Sequence, residues 1–160
     1  MVLGQQENTT YTNEDYAFSI DYPVNWTPRE YNLPPNTVVV FYGPQSQEII
    51  IIIQSFTGPQ GMNIQEIIIE TGYKFKGDEN TRLIESGNTT VTAVGIPAHY
   101  DIYYSSNLFK QGKVKEVMAV INNPTINATD IYSINYVADP GYFNTTQIDK
   151  MLETLKMGNE

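Results

Sequence analysis

Hydrophobic and polar positions alternate along most of this chain, and strands dominate what the pattern predicts. Tyr16, Phe18 and Ile20 alternate with Ala17, Ser19 and Asp21, which marks a first half-buried strand. Pro23 ends it within Tyr22-Pro23-Val24-Asn25-Trp26, because proline cannot donate to a ladder. Leu33-Pro34-Pro35-Asn36 reads as a loop, and a second strand runs over Val38 to Tyr42 before Gly43-Pro44. Glu48 to Phe56 holds five consecutive isoleucines, Ile49 to Ile53. Such a β-branched run suits a central strand covered on both faces. After the breaker Gly58-Pro59-Gln60-Gly61 the period changes to that of a helix over Asn63 to Lys76. Asn63 and Glu66 form a capping pair, Ile64, Ile67, Ile68, Thr71 and Phe75 share one face, and Gly77 stops it.

Strand patterns then return at Arg82 to Ser86, Thr89 to Val94, Ala98 to Ser105, Val114 to Ile121 and Ile131 to Ala138. Gly87-Asn88 and Gly95-Ile96-Pro97 punctuate the first three, and Asp139-Pro140-Gly141 is a turn. A closing helix over Thr145 to Met157 carries the stripe Ile148, Met151, Leu152 and Leu155. Consecutive strands joined by short turns imply antiparallel pairing. Two amphipathic helices need apolar faces to cover, and the isoleucine strand offers two. The expected fold is therefore α+β: one α/β/α sandwich whose mainly antiparallel central sheet is flanked by helices. Residues 1–14 are expected to be a flexible leader and 15–160 a single domain.

A chain of 160 residues can bury a full core without staples. It has no cysteine, which excludes a disulfide framework, thiol catalysis and thiolate metal sites. Eighteen acidic against nine basic residues give a net charge of −9, a field that repels nucleic acid. Lys110, Lys113 and Lys115 are the densest basic group and read as a solvated hairpin. No apolar run approaches the length of a membrane span, about 20 residues. The start, Met1-Val2-Leu3-Gly4 followed by polar residues, reads as trimmed, with a signal or lipid anchor expected upstream.

Tyr16-Ala17-Phe18-Ser19-Ile20-Asp21-Tyr22-Pro23-Val24-Asn25-Trp26 resembles the F-x-I-x-Y-P-x-x-W opening of PsbP-like domains. Gly95-Ile96-Pro97-Ala98 resembles the G-x-P-A strand entry in the middle of those domains. Ile148, Met151, Leu152, Leu155 and Lys156 resemble their final helix. The pieces stand in the family's order and span nearly all of the sequence after residue 14. The resemblance implies the α/β/α sandwich. The family's founder is an extrinsic protein of the photosystem II oxygen-evolving complex, and its relatives include secreted prokaryotic proteins. Residues 5 to 16 lack the basic segment that photosynthetic members use for docking, so docking of that kind is not implied.

Candidate chemistry is sparse. His99, the single histidine, alternates onto one strand face with Asp101 and Tyr103, while Ala98, Tyr100, Ile102 and Tyr104 take the other. His99 and Asp101 can supply two ligands to a divalent ion, and the resemblance adds to that reading because PsbP-like proteins have been linked to metal binding. Two polar residues on a strand face also need no ligand at all. There is no nucleophile elbow or phosphate-cradling loop, and no other cofactor is expected. Asp149 and Glu153, four apart on the last helix, read as a solvated face. Trp26 is expected in the core, and Tyr100, Tyr103, Tyr104, Tyr132 and Tyr136 as strand packing or, if exposed, a partner surface. Five Asn-x-Ser/Thr sequons stand at Asn8, Asn25, Asn88, Asn127 and Asn144. Asn8, Asn88 and Asn127 are the candidate glycan acceptors, Asn88 within an expected hairpin turn. Asn144 reads instead as a cap of the last helix.

Taken together, these features point to a non-enzymatic, extracytoplasmic domain, secreted or at the cell surface, that binds a protein partner or serves assembly. The alternative is a module for a divalent metal or a small molecule, using the His99/Asp101 face or a pocket between a helix and the sheet. A hydrolase ranks below both.

Overall fold

A computed structural model describes residues 7–14, 18–33, 36–44, 47–59, 81–107, 110–123 and 128–157. Its strands are β1 (Asn8–Asn13), β2 (Phe18–Pro23), β3 (Thr27–Leu33), β4 (Asn36–Tyr42), β5 (Glu48–Pro59), β6 (Thr81–Val91), β7 (Ile96–Asn107), β8 (Lys110–Asn123) and β9 (Ala128–Ala138). Helix α1 (Thr146–Thr154) and the short β10 (Lys156–Met157) close the fold. Seven strands form one antiparallel sheet in the order β3-β4-β5-β9-β8-β7-β6, and β1-β2-β10 form a second, three-stranded sheet.

The expected α/β/α sandwich is not what forms. Among the described residues the fold is mostly β, with one short helix, and α1 shares its side of the large sheet with the small one. The physical reason lies in the two ends of the sequence. Asn8–Asn13, expected within the leader, pair antiparallel with β2 from Asn8 opposite Pro23 to Asn13 opposite Phe18. Lys156 and Met157, expected as the last helical turn, pair with Ser19 and Phe18 on the other side of β2. Backbone groups that a longer helix would satisfy internally are satisfied by a sheet instead. The helix predicted over Asn63 to Lys76 lies outside the described residues.

The isoleucine strand is central, as its composition requires. Ile50 and Ile52 are fully buried on the α1 side with Phe41, Val39, Ile134, Tyr132, Tyr136 and the helix stripe. Ile51 lies on the opposite side with Val40, Val114, Val137 and Tyr103, and Ile49 and Ile53 pack against that cluster partly buried. Trp26 is buried in the larger cluster. Phe41 joins the two sheets: its ring meets Tyr11 edge-on at 5.6 Å and Tyr22 at 5.1 Å.

Two strand readings change. Gly87-Asn88 does not interrupt the strand, because β6 runs unbroken from Thr81 to Val91 against β7. Tyr100 stands opposite Gly87, and a Cβ on Gly87 would lie 2.8 Å from that ring. The glycine is there for the close approach of the ring rather than for a turn. The second change is β3, whose polar Thr27-Pro28-Arg29-Glu30 start carries no apolar signal. It is an end strand of the sheet and can tolerate both charge and proline.

Buried phenols set the alkaline limit of this fold. Burial, then the hydrogen bond to Glu30, pushes the Tyr11 hydroxyl from 10.0 up to about 12. Tyr136 is raised by burial and its bond to Glu48, and Tyr103 by burial and the nearby Glu116 and Asp101 carboxylates. A phenol raised in this way favours its neutral form in the fold. The stability it contributes is complete below its unfolded value of 10.0 and is lost as pH rises toward its folded value. Phenolate absorbance from these three is therefore expected to appear only above pH 10.0, together with loss of circular dichroism. All twelve tyrosines ionising in one wave with the fold intact would refute this.

Candidate functional site

Strand alternation puts His99 and Asp101 on one face of β7, as the sequence requires, but that face is buried. His99 is 9% exposed and Asp101 4%. The register lines up Ser86, Asp101, Glu116 and Asn135 across β6, β7, β8 and β9, with Asn88, His99, Met118 and Ser133 in the adjacent row. Asp101 and Glu116, 4% exposed, stand directly opposite one another. Facing carboxylates repel, so each depends on donors within the sheet. Asp101 Oδ1 accepts from His99 Nε2 at 3.1 Å and from the Ser86 hydroxyl. Glu116 Oε2 accepts from Ser133 Oγ at 3.0 Å, and Ser133 Oγ accepts from Asn135 Nδ2 at 2.9 Å.

This row holds the polar side chains to one another. His99 Nδ1 is buried and without a hydrogen bond among the described residues. A stable zinc site uses four ligands. Among the described residues no group of three or more His, Asp or Glu gathers to hold an ion. His99 and Asp101 are joined by a hydrogen bond within the sheet, and no third ligand stands beside them among the described residues.

A second constellation lies on the other side of the sheet. Lys115, which faces Ile102 and Tyr136 in the register, points toward α1, where Nζ meets Asp149 Oδ1 at 2.9 Å. Its ammonium also lies 5.2 Å from the centre of the Tyr100 ring. Beside this pair opens a cleft of about 270 Å³ between α1, the end of β6 and the middle of β8. Asp149 and Glu153 both line it, so the residues read as a solvated helix face flank a cavity.

Thr92 closes one end of the cleft. Its N–H donates to Leu152 O at 3.0 Å, which satisfies a carbonyl at the end of α1. Its φ is 69°, the left-handed region, and among the described residues no other non-glycine adopts a positive φ. A β-branched residue is a strong outlier there, at a cost of roughly 1–3 kcal/mol. The Thr92 hydroxyl is buried and makes no hydrogen bond among the described residues. Sequence reasoning missed this site, since neither the bend at Thr92 nor its nearness to Asp149 has a local signal.

The sequons divide. Asn8 and Asn88 are exposed on β1 and β6, Asn88 in mid-strand opposite His99, and Asn127 lies outside the described residues. Asn25 is exposed in the turn after β2. Asn144 Oδ1 accepts from Thr146 N at 3.0 Å just before α1, but the N-cap is Thr145, with no side-chain capping bond, so the expected Asn144 cap does not form. Of the strand tyrosines, Tyr103, Tyr132 and Tyr136 are buried, whereas Tyr100 and Tyr104 are half-buried.

Comparison with solved structures places the architecture. The solution structure of cyanobacterial PsbP (CyanoP) from Synechocystis sp. PCC 6803 superposes with a TM-score of 0.65 at 15% identity. The alignment covers 98% of this chain and 95% of that one. The fold is that of PsbP. LpqN of Mycobacterium tuberculosis, described as involved in cell envelope biogenesis, matches at TM-score 0.62 and 17% identity over 96% of this chain and 92% of its own. No protein-family model and no curated protein matches the sequence. The PsbP-like architecture expected from the opening motif is thus present, although its layers are not those of a helix-flanked sandwich.

Proposed function

We propose that this chain is a non-enzymatic, extracytoplasmic PsbP-like domain that works by binding a protein partner along β6. One observation carries the reading: the β-bulge in that strand. The register against β7 shifts between Leu83 and Glu85, so Ile84 has no partner residue. A bulge re-aims side chains. Here it leaves Leu83 and Ile84, neighbours in sequence, both 46% exposed on the terminal strand of the large sheet. Strict alternation would have turned one of them inward. Two adjacent apolar side chains on an exposed strand suit a partner's apolar anchor. The local twist at the bulge also discourages edge-to-edge pairing with a second copy.

Location outside the cytoplasm is supported by the exposed sequons at Asn8 and Asn88 and by the cell-envelope description of LpqN. Among the described residues no helix is long and apolar enough to cross a membrane.

The test is photo-crosslinking in the native host, with a photoreactive phenylalanine at Glu85. We expect a discrete adduct in the extracytoplasmic fraction, abolished by Leu83→Asp with Ile84→Asp. An adduct that survives both substitutions, or protein confined to the cytosol, would overturn the proposal. A probe at exposed Tyr142 serves as the control and should give no adduct of the same size.

A further inference from the structure

The geometry points to a ligand site in the cleft between α1, the end of β6 and the middle of β8, built for a small neutral polyhydroxylated molecule about the size of one sugar ring. This goes beyond partner binding at β6 and is independent of it. The cleft, about 270 Å³, lies just below the usual range for drug-sized ligand cavities, which limits it to a small molecule. Leu152, slightly exposed, gives it a small apolar patch, and the rest of its lining surface is mostly polar.

The wall chemistry selects the ligand class. Thr89, Thr90 and Thr92 bring hydroxyls, Lys115 an ammonium, and Asp149 and Glu153 carboxylates. An anion would meet two carboxylates in a protein of net charge −9. A cation would meet the Lys115 ammonium, whose side chain is 13% exposed and fixed in place by Asp149. A ligand hydroxyl suffers neither conflict, because it donates to a carboxylate and accepts from an ammonium or another hydroxyl. The C–H face of a ring would meet Leu152, as in sites that pair an apolar patch with a few convergent polar groups.

Thr92 is the most unusual residue lining the cleft. It is only 7% exposed, its hydroxyl has no hydrogen bond among the described residues, and its backbone is held at φ 69°. Buried polar groups are normally satisfied, and one that is not calls for an explanation. The hydroxyl is closed off from the cleft as it stands, so a hydroxyl-bearing ligand would meet it only after the Thr92 side chain turns toward the cleft.

The experiment is an amide-resolved NMR titration of the full-length protein with glucose, galactose, N-acetylglucosamine and myo-inositol. Sodium phosphate, putrescine and calcium chloride are titrated alongside as the competing chemistries. We expect saturable shifts, in the millimolar range for at least one neutral polyol, at the amides of Thr89, Thr90, Thr92, Lys115 and Glu153. Lys115→Met and Glu153→Gln should each weaken that binding about tenfold, the loss of one hydrogen bond to a charged group. Lys115→Met alters a packed side chain, so Glu153→Gln on the exposed helix face carries the test if that variant loses its fold. The proposal is overturned if no polyol gives a saturable shift, if phosphate, diamine or calcium binds these amides more tightly than every polyol, or if Glu153→Gln binds as the parent does. Leu83→Asp with Ile84→Asp should leave polyol binding unchanged, which separates failure here from failure of the partner site.

Discussion

Replacing Phe41 with alanine is expected to destabilise the protein by about 3–5 kcal/mol. The ring is fully buried where the two sheets meet, opposite Ile50 in the register and against Tyr11 and Tyr22 of the small sheet. Truncation removes a large apolar area and leaves a cavity that rigid strands on both sides cannot collapse to fill. The loss should also loosen β1 and β2, so their amides should exchange faster than those of β8 and β9 at equal denaturant. Urea unfolding followed by circular dichroism measures the total. A cost below about 1 kcal/mol would mean that the sheets do not meet at Phe41.

Gly112→Ala is expected to cost on the order of 3 kcal/mol, although it adds one carbon at a half-buried position. Two penalties coincide. Gly112 has φ +132°, a conformation L side chains rarely adopt, and a Cβ there would lie 2.5 Å from Ala138 O. The obstacle is backbone of the neighbouring β9 and cannot swing aside, so β8 and β9 must separate where Lys113 faces Ala138. Gly87→Ala is the informative comparison, because its obstacle is the Tyr100 side chain, which has rotamers to move into. Gly112→Ala should therefore unfold at lower urea than Gly87→Ala. The reverse order would show that β8 tolerates a side chain at this bend.

What could be read from the sequence divides along a physical line. Periodicity reports which residues share a side, and those readings agree with the structure. His99, Asp101 and Tyr103 do lie on one face of β7, and Ile148, Met151, Leu152 and Leu155 form one buried stripe. Continuous β-branching at Ile49 to Ile53 correctly marks a central strand. Periodicity does not report what covers a side. The face carrying His99 and Asp101 is buried where it reads equally well as exposed, and Asp149 and Glu153 flank a cleft where they read as solvated.

The layers themselves were decided only in three dimensions. Asn8–Asn13 and Lys156–Met157 are strands because β2 offers them backbone partners, across a short hairpin for the first and from far along the sequence for the second. No local propensity in Asn8-Thr9-Thr10 or in the last turn of a good helical pattern encodes that choice. The bulge at Ile84 and the left-handed Thr92 are likewise set by what each segment must reach, β7 for the one and the end of α1 for the other. By itself the sequence determined the strand-rich core, the central isoleucine strand, the closing helix and a PsbP-like opening. Tertiary structure alone decided the two-sheet layering, the exposed β6 bulge and the Lys115–Asp149 cleft, because each depends on pairing between residues that no local period relates.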